Sequence, residues 1–282
     1  MRRASIWRVA IAVLVVLVAI ALALGIATGL PAIVLGAMLP PACAAALLIV
    51  ARGRDRTIRL AYVALLSWGA VGAAFLSSAI NDALSAPGRD LVPAFAGPIV
   101  EELTKAVGLV AIVMLEPAAL RGVVDGIVCG ALVGLGFTMT ENVGYLILAA
   151  VQGGSAGLHV ALWTRATLGG FTHAVFTATT GAGLGWVRER SPASSSGVAG
   201  VAFLAAVAQH VLWNTVASST IIRVLCDAPV PGGPCRDAPG PAALFVTIPL
   251  VAGVGLAPGA VALVGAVVWA RRRRGAARST GT

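Results

Sequence analysis

Apolar stretches of about 20 residues recur along this chain, separated by short polar segments. A helix needs about 20 residues to cross the ~30 Å hydrocarbon layer of a bilayer. The pattern therefore predicts an all-α, polytopic membrane protein with about eight transmembrane helices. We place these spans at residues 9–30, 31–51, 60–80, 91–115, 123–150, 161–186, 198–222 and 242–270.

The composition and the placement of charge support this interpretation. Of the 282 residues, 59% are hydrophobic and 11% are charged, whereas a soluble domain has about 25% charged residues. With these spans, 15 of the 20 Lys and Arg residues lie on one side of the membrane. By the positive-inside rule both termini are cytoplasmic, in a multi-pass protein of the cell membrane. The net charge of +9 lies in loops without interleaved aromatic residues, so no nucleic acid partner is predicted.

The two ends of the chain leave alternatives open. Arg2, Arg3 and Arg8 precede an apolar run, which is typical of an uncleaved anchor and also of a cleavable signal peptide. Near the other end, Cys226 and Cys235 share a loop predicted to lie outside, where a disulfide between them would persist.

Charged residues interrupt the fourth span. Glu101, Glu102 and Lys105 lie within five positions of one another in an otherwise apolar segment. A charge at the centre of a membrane helix costs roughly 2.5–3.5 kcal/mol. We therefore expect these groups to pair with one another and to take part in the function of the protein. Lys105 is three and four residues from the two carboxylates, and a structural ion pair is its simplest role. Arg165 is the other basic residue that falls within a span.

Three later spans carry polar residues at a similar depth. Glu101 and Glu141 lie about 15 and 14 Å below the outer ends of their helices, and His173 and His210 about 18 Å below theirs. Asn214 shares a helical face with His210. Because neighbouring spans run in opposite directions and still deliver these groups to one layer, we predict one polar site near the midplane.

These residue types suggest hydrolysis, with other chemistry left open. A carboxylate held away from bulk water is a competent base towards a water molecule, and His and Asn can donate hydrogen bonds to an oxyanion. Alternatively, Glu101, Glu141, His173 and His210 would hold a divalent metal such as zinc. Chains of Glu and His also occur in transporters and proton relays. Ser155 lies in a G-x-S-x-G sequence, but in a predicted outer loop where no nucleophile elbow is expected.

Small residues at a spacing of four predict close packing between the fifth and sixth spans. They are Gly126, Gly130 and Gly134 on one helix and Thr177, Gly181 and Gly185 on the other. The chain divides into residues 1–90 with three transmembrane helices, a four-helix core at 91–222, and residues 223–282 with an outer loop, the last helix and a basic tail.

The ordered set of polar motifs resembles the PrsW family of intramembrane proteases, and more distantly the CAAX prenyl endopeptidases and Abi-type proteins. The motifs are Glu101-Glu102-x-x-Lys105, Phe137-x-x-x-Glu141-Asn142, His173 and His210-x-x-x-Asn214. Where CAAX endopeptidases more usually have an Arg, this chain has Glu141, as PrsW has, which argues against prenylated substrates.

The resemblance implies a membrane peptidase whose substrate is a membrane-tethered protein, in PrsW an anti-sigma factor. By motif position, Glu101 would activate water with help from Glu102 and His173, while His210 and Asn214 would form the oxyanion site. Glu141 would belong to the same site, with Lys105 and Asn142 in structural roles. The family is classed as metallopeptidases, and metal ligation by His210 competes with the oxyanion role.

Overall fold

The computed structural model describes residues 31–53, 55–85, 95–162, 165, 168–190, 196–217 and 248–279. This part of the chain is helical and contains no strand, which agrees with the predicted all-α class. Its helices are α1 (Pro31–Arg52), α2 (Arg56–Leu84), α3 (Gly97–Leu115), α4 (Val123–Ala161), α5 (Thr172–Glu189), α6 (Ser196–Leu212) and α7 (Ile248–Ser279). The paired cysteines predicted at 226 and 235, and the first predicted span, lie outside the described residues.

Three described stretches are long and apolar enough by themselves to cross a membrane: Arg56–Leu84, Val123–Ser155 and Gly197–Val216. They match the third, fifth and seventh predicted spans. Helix α3 has 19 residues but carries Glu101, Glu102 and Lys105, which lowers its apolar character. The helices therefore support a membrane protein, while the number of eight spans and the cytoplasmic termini stay predictions.

Helix α4 is the central element of the described fold. In the apolar window of its span 78% of the residues are buried, against 22% for the span that includes α6. A single hydrophobic cluster joins α4 to α1, α2 and α3, with members such as Ala45, Tyr62, Leu109 and Leu132. The first two parts of the predicted three-part division thus share one core, and the division itself stays a prediction.

Helix α2 departs from regular α geometry. Residues Trp68–Ala73 in α2 form a π-helical segment, and such segments are frequent near functional sites. Here the Trp68 indole donates to the Thr104 carbonyl oxygen at 3.0 Å, and Thr140 donates to the Ala70 carbonyl oxygen at 2.5 Å. These bonds tie the π-helical segment to α3 and α4 beside the polar residues of both helices.

The predicted outer loop at residues 153–157 coincides with a sharp break in α4. Gly154 has a φ of 57° and a ψ of −145°, which suit glycine and separate two helical segments. A Cβ at Gly157 would lie 2.7 Å from the Ala149 carbonyl oxygen, whereas positions eight residues apart in one straight helix are about 12 Å apart along its axis. The chain therefore reverses direction near Gly154, as a loop between two spans requires, and its location on the outer side stays a prediction.

The predicted close packing of α4 on α5 is confirmed. A side chain added at Gly126, Gly130 or Gly134 would overlap the backbone of Gly181, Thr177 or His173, respectively. Because the two backbones touch along this seam, the main chain of α5 is held close to α4 over most of its length. The seam therefore sets the position of His173.

We expect Gly130→Ala to destabilise the protein by about 1–3 kcal/mol, as for other overpacked interiors, because the new methyl group meets a backbone carbonyl that cannot rotate away. Unfolding of the purified protein in mixed micelles measures the effect. Gly200→Ala is the matched control, since nothing lies within 4 Å of that position. Equal stabilities of the two variants would contradict the packing argument.

Candidate functional site

Helix α3 contributes two carboxylates and one ammonium group to the interior. Pro98 lies in its first turn, where a missing backbone N–H is tolerated, and the charged residues follow immediately. Glu102 and Lys105 are buried, at 1% and 0% relative exposure, whereas the Glu101 side chain is 12% exposed. The two glutamates therefore have different surroundings although they are adjacent in sequence.

The Lys105 ammonium group connects α3 to α5. It donates to Glu102 Oε1 at 2.8 Å and to His173 Nδ1 at 2.8 Å. Its nitrogen also lies 3.7 Å from the centre of the Phe137 ring, a cation–π contact. Lys105 thus neutralises Glu102, as an ion pair of the kind predicted, and in addition positions a histidine on another helix.

The Glu102 carboxylate makes only internal contacts. Oε1 accepts from Lys105 and from His210 Nδ1 at 3.1 Å, and Oε2 accepts from the Thr177 hydroxyl at 3.1 Å. Three helices, α3, α5 and α6, are joined through this one group. A carboxylate so occupied is suited to orienting its neighbours.

The contact with Glu102 determines the tautomer of His210. A carboxylate can only accept, so Nδ1 of His210 carries the proton and, in the neutral ring, Nε2 keeps a lone pair. Nε2 lies 3.7 Å from Glu101 Oε2. Orientation of a histidine by a carboxylate on its far nitrogen is the usual arrangement of metal-binding histidines.

His173 has the opposite tautomer. Its Nδ1 accepts from Lys105, so Nε2 carries the proton and donates to Glu141 Oε2 at 2.8 Å. The centres of the His173 and His210 rings are 4.8 Å apart. The structure therefore brings Glu101, Glu141 and both histidines into one cluster built from α3, α4, α5 and α6.

Arg165 belongs to this cluster and was assigned no role from the sequence. Its guanidinium donates to Glu141 Oε2 at 2.7 Å and lies 3.6 Å from the centre of the Tyr145 ring. Its carbonyl oxygen accepts from the Asn142 side chain at 3.1 Å. An arginine within an apolar span could have indicated a role in the site. The contact with Glu141 was not predicted because the two residues are 24 positions apart in sequence.

Glu101 has a carboxylate oxygen that accepts no hydrogen bond from the described residues. Its Oε2 is buried and no described residue donates a hydrogen bond to it, although Lys105 Nζ lies 3.8 Å away. Burying an acceptor without a partner is costly. An oxygen left in this state next to a cavity is expected to contact water, an ion or substrate.

A cavity of about 470 Å³ lies against Glu101 and Glu141, between α2, α3 and α4. Phe75 and Tyr145 contribute aromatic walls, and Asn81 lies on its lining with a buried Oδ1 that no described residue contacts by a hydrogen bond. Sequence reasoning placed Asn81 only at the end of a span. Its approach to Glu101 depends on how α2 packs beside α3.

A divalent metal fits the donor atoms of this cluster. Ligand atoms of Glu101, His173 and His210 lie within 4.8 Å of one another, and two imidazoles with one carboxylate are a ligand set of catalytic zinc sites. With bonds of 2.0–2.2 Å, ligand atoms around such an ion lie about 3.4 Å apart, so the group would contract slightly. Glu101 and His210 already present lone pairs, whereas His173 Nε2 carries a proton that it donates to Glu141 and would bind the ion only after losing it.

The other predicted site residues lie close to the cluster or outside the described chain. Asn142 is buried and holds the backbone at Arg165. Asn214 is half-buried in the π-helical segment Trp213–Ala217, one turn beyond His210. Ser155 lies beside the break in α4 and is exposed.

The family comparison agrees with this arrangement. The model of the PrsW family intramembrane metalloproteases matches residues 57–254, more than two thirds of the chain, including all four polar motifs. No curated protein and no solved structure gives a match. The chain belongs to the PrsW family of intramembrane metalloproteases and is a membrane peptidase.

Proposed function

We propose that this peptidase hydrolyses a peptide bond of a membrane-tethered protein, such as an anti-sigma factor, in the cavity beside Glu101. The observation that carries the proposal is the buried Glu101 Oε2, to which no described residue donates a hydrogen bond and which lies 3.7 Å from His210 Nε2. A water molecule between these atoms and a bound peptide would meet a base on one side and a carbonyl carbon on the other.

The cavity suits a segment drawn from a lipid environment. Phe75, Tyr145 and Leu148 line it and are 57%, 44% and 48% exposed, which provides apolar contacts for substrate side chains. The unpartnered Asn81 Oδ1 can accept from a backbone N–H that becomes available when the substrate unwinds. A peptide bound in an unwound conformation exposes its carbonyl carbon to attack, which a helix does not.

In the proposed reaction Glu101 accepts a proton from water as the water oxygen bonds to the scissile carbonyl carbon. The carboxylic acid so formed then gives that proton to the amine nitrogen as the carbon–nitrogen bond breaks. Acid and base roles of this kind contribute typically 10²–10⁴-fold to a rate. Glu102 acts as a positioning residue, because its oxygens are occupied by Lys105, His210 and Thr177.

The tautomers separate the two roles proposed for His210. A neutral ring whose Nδ1–H bonds Glu102 cannot donate from Nε2, so we assign His210 as a metal ligand and leave the oxyanion role to the Asn214 amide. Glu101 and His210 would hold the metal, with Glu141 next to them, and His173 would join them after losing its Nε2 proton. A bound divalent ion would supply Lewis acidity towards the scissile carbonyl.

The site is proposed to lie within a protein of eight transmembrane helices with both termini cytoplasmic, in the cell membrane. Residues 91–222 would form the catalytic core. The predicted depth of these residues, near the midplane and slightly outward of it, supports a cut near the outer half of the bilayer.

Cleavage can be tested without knowing the substrate in advance. Membranes from cells that produce the wild type are compared with membranes containing His210→Ala, and new N-termini of single-pass proteins are identified by mass spectrometry. The proposal would be supported by new N-termini within or beside a transmembrane segment that appear with the wild type and not with His210→Ala. Identical sets of termini would contradict it.

The metal assignment makes a separate prediction. We expect the purified protein to contain about one equivalent of divalent metal, as one ligand set implies, and His210→Ala to contain almost none. A chelator should abolish cleavage, and added metal should restore it. Gln209→Ala is the control. The Gln209 amide donates hydrogen bonds to the Thr179 hydroxyl on α5 and to the Ala205 carbonyl oxygen on its own helix, and to no residue of the cluster. Full activity in metal-free protein would contradict the assignment.

A further inference from the structure

A second groove lies at the opposite ends of the helices from the candidate active site. It has a volume of about 660 Å³ and is formed by the C-terminal part of α3, the C-terminal part of α5 and the beginning of α6. Val110, Met114, Leu184 and Val187 contribute its apolar surface, and Met114 is 74% exposed. The peptidase cluster uses none of these residues.

The groove has a basic rim. Arg188 and Arg190 line it and both are exposed, and none of its described lining residues is acidic. Glu189 lies between them in sequence but does not line the groove, and its carboxylate accepts from the Val123 backbone N–H at 3.3 Å. A groove that is apolar along its length and positive at one end complements an anionic amphiphile.

Aromatic residues mark the same end. The rings of Trp186 and Trp269 stack with their centres 4.2 Å apart, and the Arg190 guanidinium lies 4.3 Å from the Trp186 ring. Tryptophan and arginine together are typical of the boundary between hydrocarbon and headgroups. Arg190 is therefore held at the rim by ring faces, no described acidic residue pairs with it, and its charge stays available.

We propose that this groove binds an anionic phospholipid, with an acyl chain along α3 and α5 and the phosphate against Arg188 and Arg190. Basic pockets between membrane helices bind anionic headgroups in this way. The apolar length of the groove favours a lipid over a free phosphate ion, which would use only the rim. This inference is independent of the peptidase mechanism.

Native mass spectrometry of the full-length protein in detergent tests the proposal. Phosphatidylglycerol and phosphatidylcholine with the same acyl chains are titrated separately. We expect phosphatidylglycerol to bind more tightly, and Arg188→Gln or Arg190→Gln to weaken it about fivefold each, the effect of one surface arginine. Ala199→Phe, which fills the groove, should weaken both lipids.

Arg272→Gln is the matched control, since this exposed arginine lies on α7 outside the groove lining, and it should bind both lipids as the wild type does. Equal binding of the two lipids, or wild-type binding by both groove arginine variants, would overturn the proposal. Complete displacement of phosphatidylglycerol by inorganic phosphate would also overturn it, because the acyl chain would then contribute nothing.

Discussion

Glu101→Gln is expected to slow substrate cleavage by about 10²–10⁴-fold, the usual contribution of a positioned base, in a protein that remains folded. Glutamine has nearly the same shape but cannot accept the proton from water. Since no described residue donates to Glu101 Oε2, the substitution breaks no hydrogen bond at that oxygen. Cleavage of an identified substrate in reconstituted vesicles, followed over time, measures the loss.

Glu189→Gln is the control for this result. Glu189 accepts from the Val123 backbone N–H at the far end of α5, and the amide oxygen of glutamine can replace that acceptor. We expect its cleavage rate to be close to that of the wild type. If Glu101→Gln kept wild-type activity, the proposed role of Glu101 as base would be wrong, whatever the metal content.

Lys105→Met is expected to reduce stability by about 3–5 kcal/mol, the cost of removing one partner from a buried ion pair. Lys105 and Glu102 are 0% and 1% exposed, and their charged atoms are 2.8 Å apart. Methionine fills a similar volume but leaves the Glu102 charge in the interior with hydrogen bonds from His210 and Thr177 alone. Denaturant unfolding in mixed micelles provides the measurement.

A second variant separates charge from packing in this experiment. Glu102→Gln combined with Lys105→Met removes both charges, so it should be more stable than Lys105→Met alone. Arg121→Gln is the control, because the Arg121 side chain is 53% exposed and the buried Asp125 keeps its ion pair with Arg52 at 2.8 Å, so a loss of about 0–1 kcal/mol is expected. A double variant less stable than the single one would show that the charge argument is wrong.

Much of the architecture could be predicted because it depends on local composition. Apolar runs indicated membrane helices, and the four-residue spacing of Gly126, Gly130 and Gly134 indicated the α4–α5 seam that the structure confirms. Residue counts along each helix predicted one layer for Glu101, His173 and His210; the structure brings the three together, although His173 is the second residue of α5 and not about twelve residues into its helix. The family was identified from the same ordered motifs, and the match over residues 57–254 confirms it.

Other features required knowledge of how the helices rotate and pack. Arg165 and Asn81 were missed as neighbours of the cluster because each reaches it from a distant part of the chain. The glycine-rich segment predicted a turn near Gly154, but only the structure gave the φ of 57° at which the chain breaks. Glu101 and Glu102 are adjacent in sequence, so the sequence did not show that their hydrogen bonding differs. In the structure Glu102 accepts three hydrogen bonds, whereas no described residue donates to Glu101 Oε2.

The sequence by itself determined that this protein is a membrane peptidase of the PrsW family, and it predicted acidic and histidine side chains at one depth, because hydropathy and residue order are properties of the chain. Only the tertiary structure decided which oxygen of Glu101 lacks a donor, which nitrogen of each histidine carries a proton, and which residues line the cavity. The physical reason is that hydrogen bonds between helices depend on the rotation of each helix about its axis and on side-chain rotamers, and these are set by packing against neighbours distant in sequence.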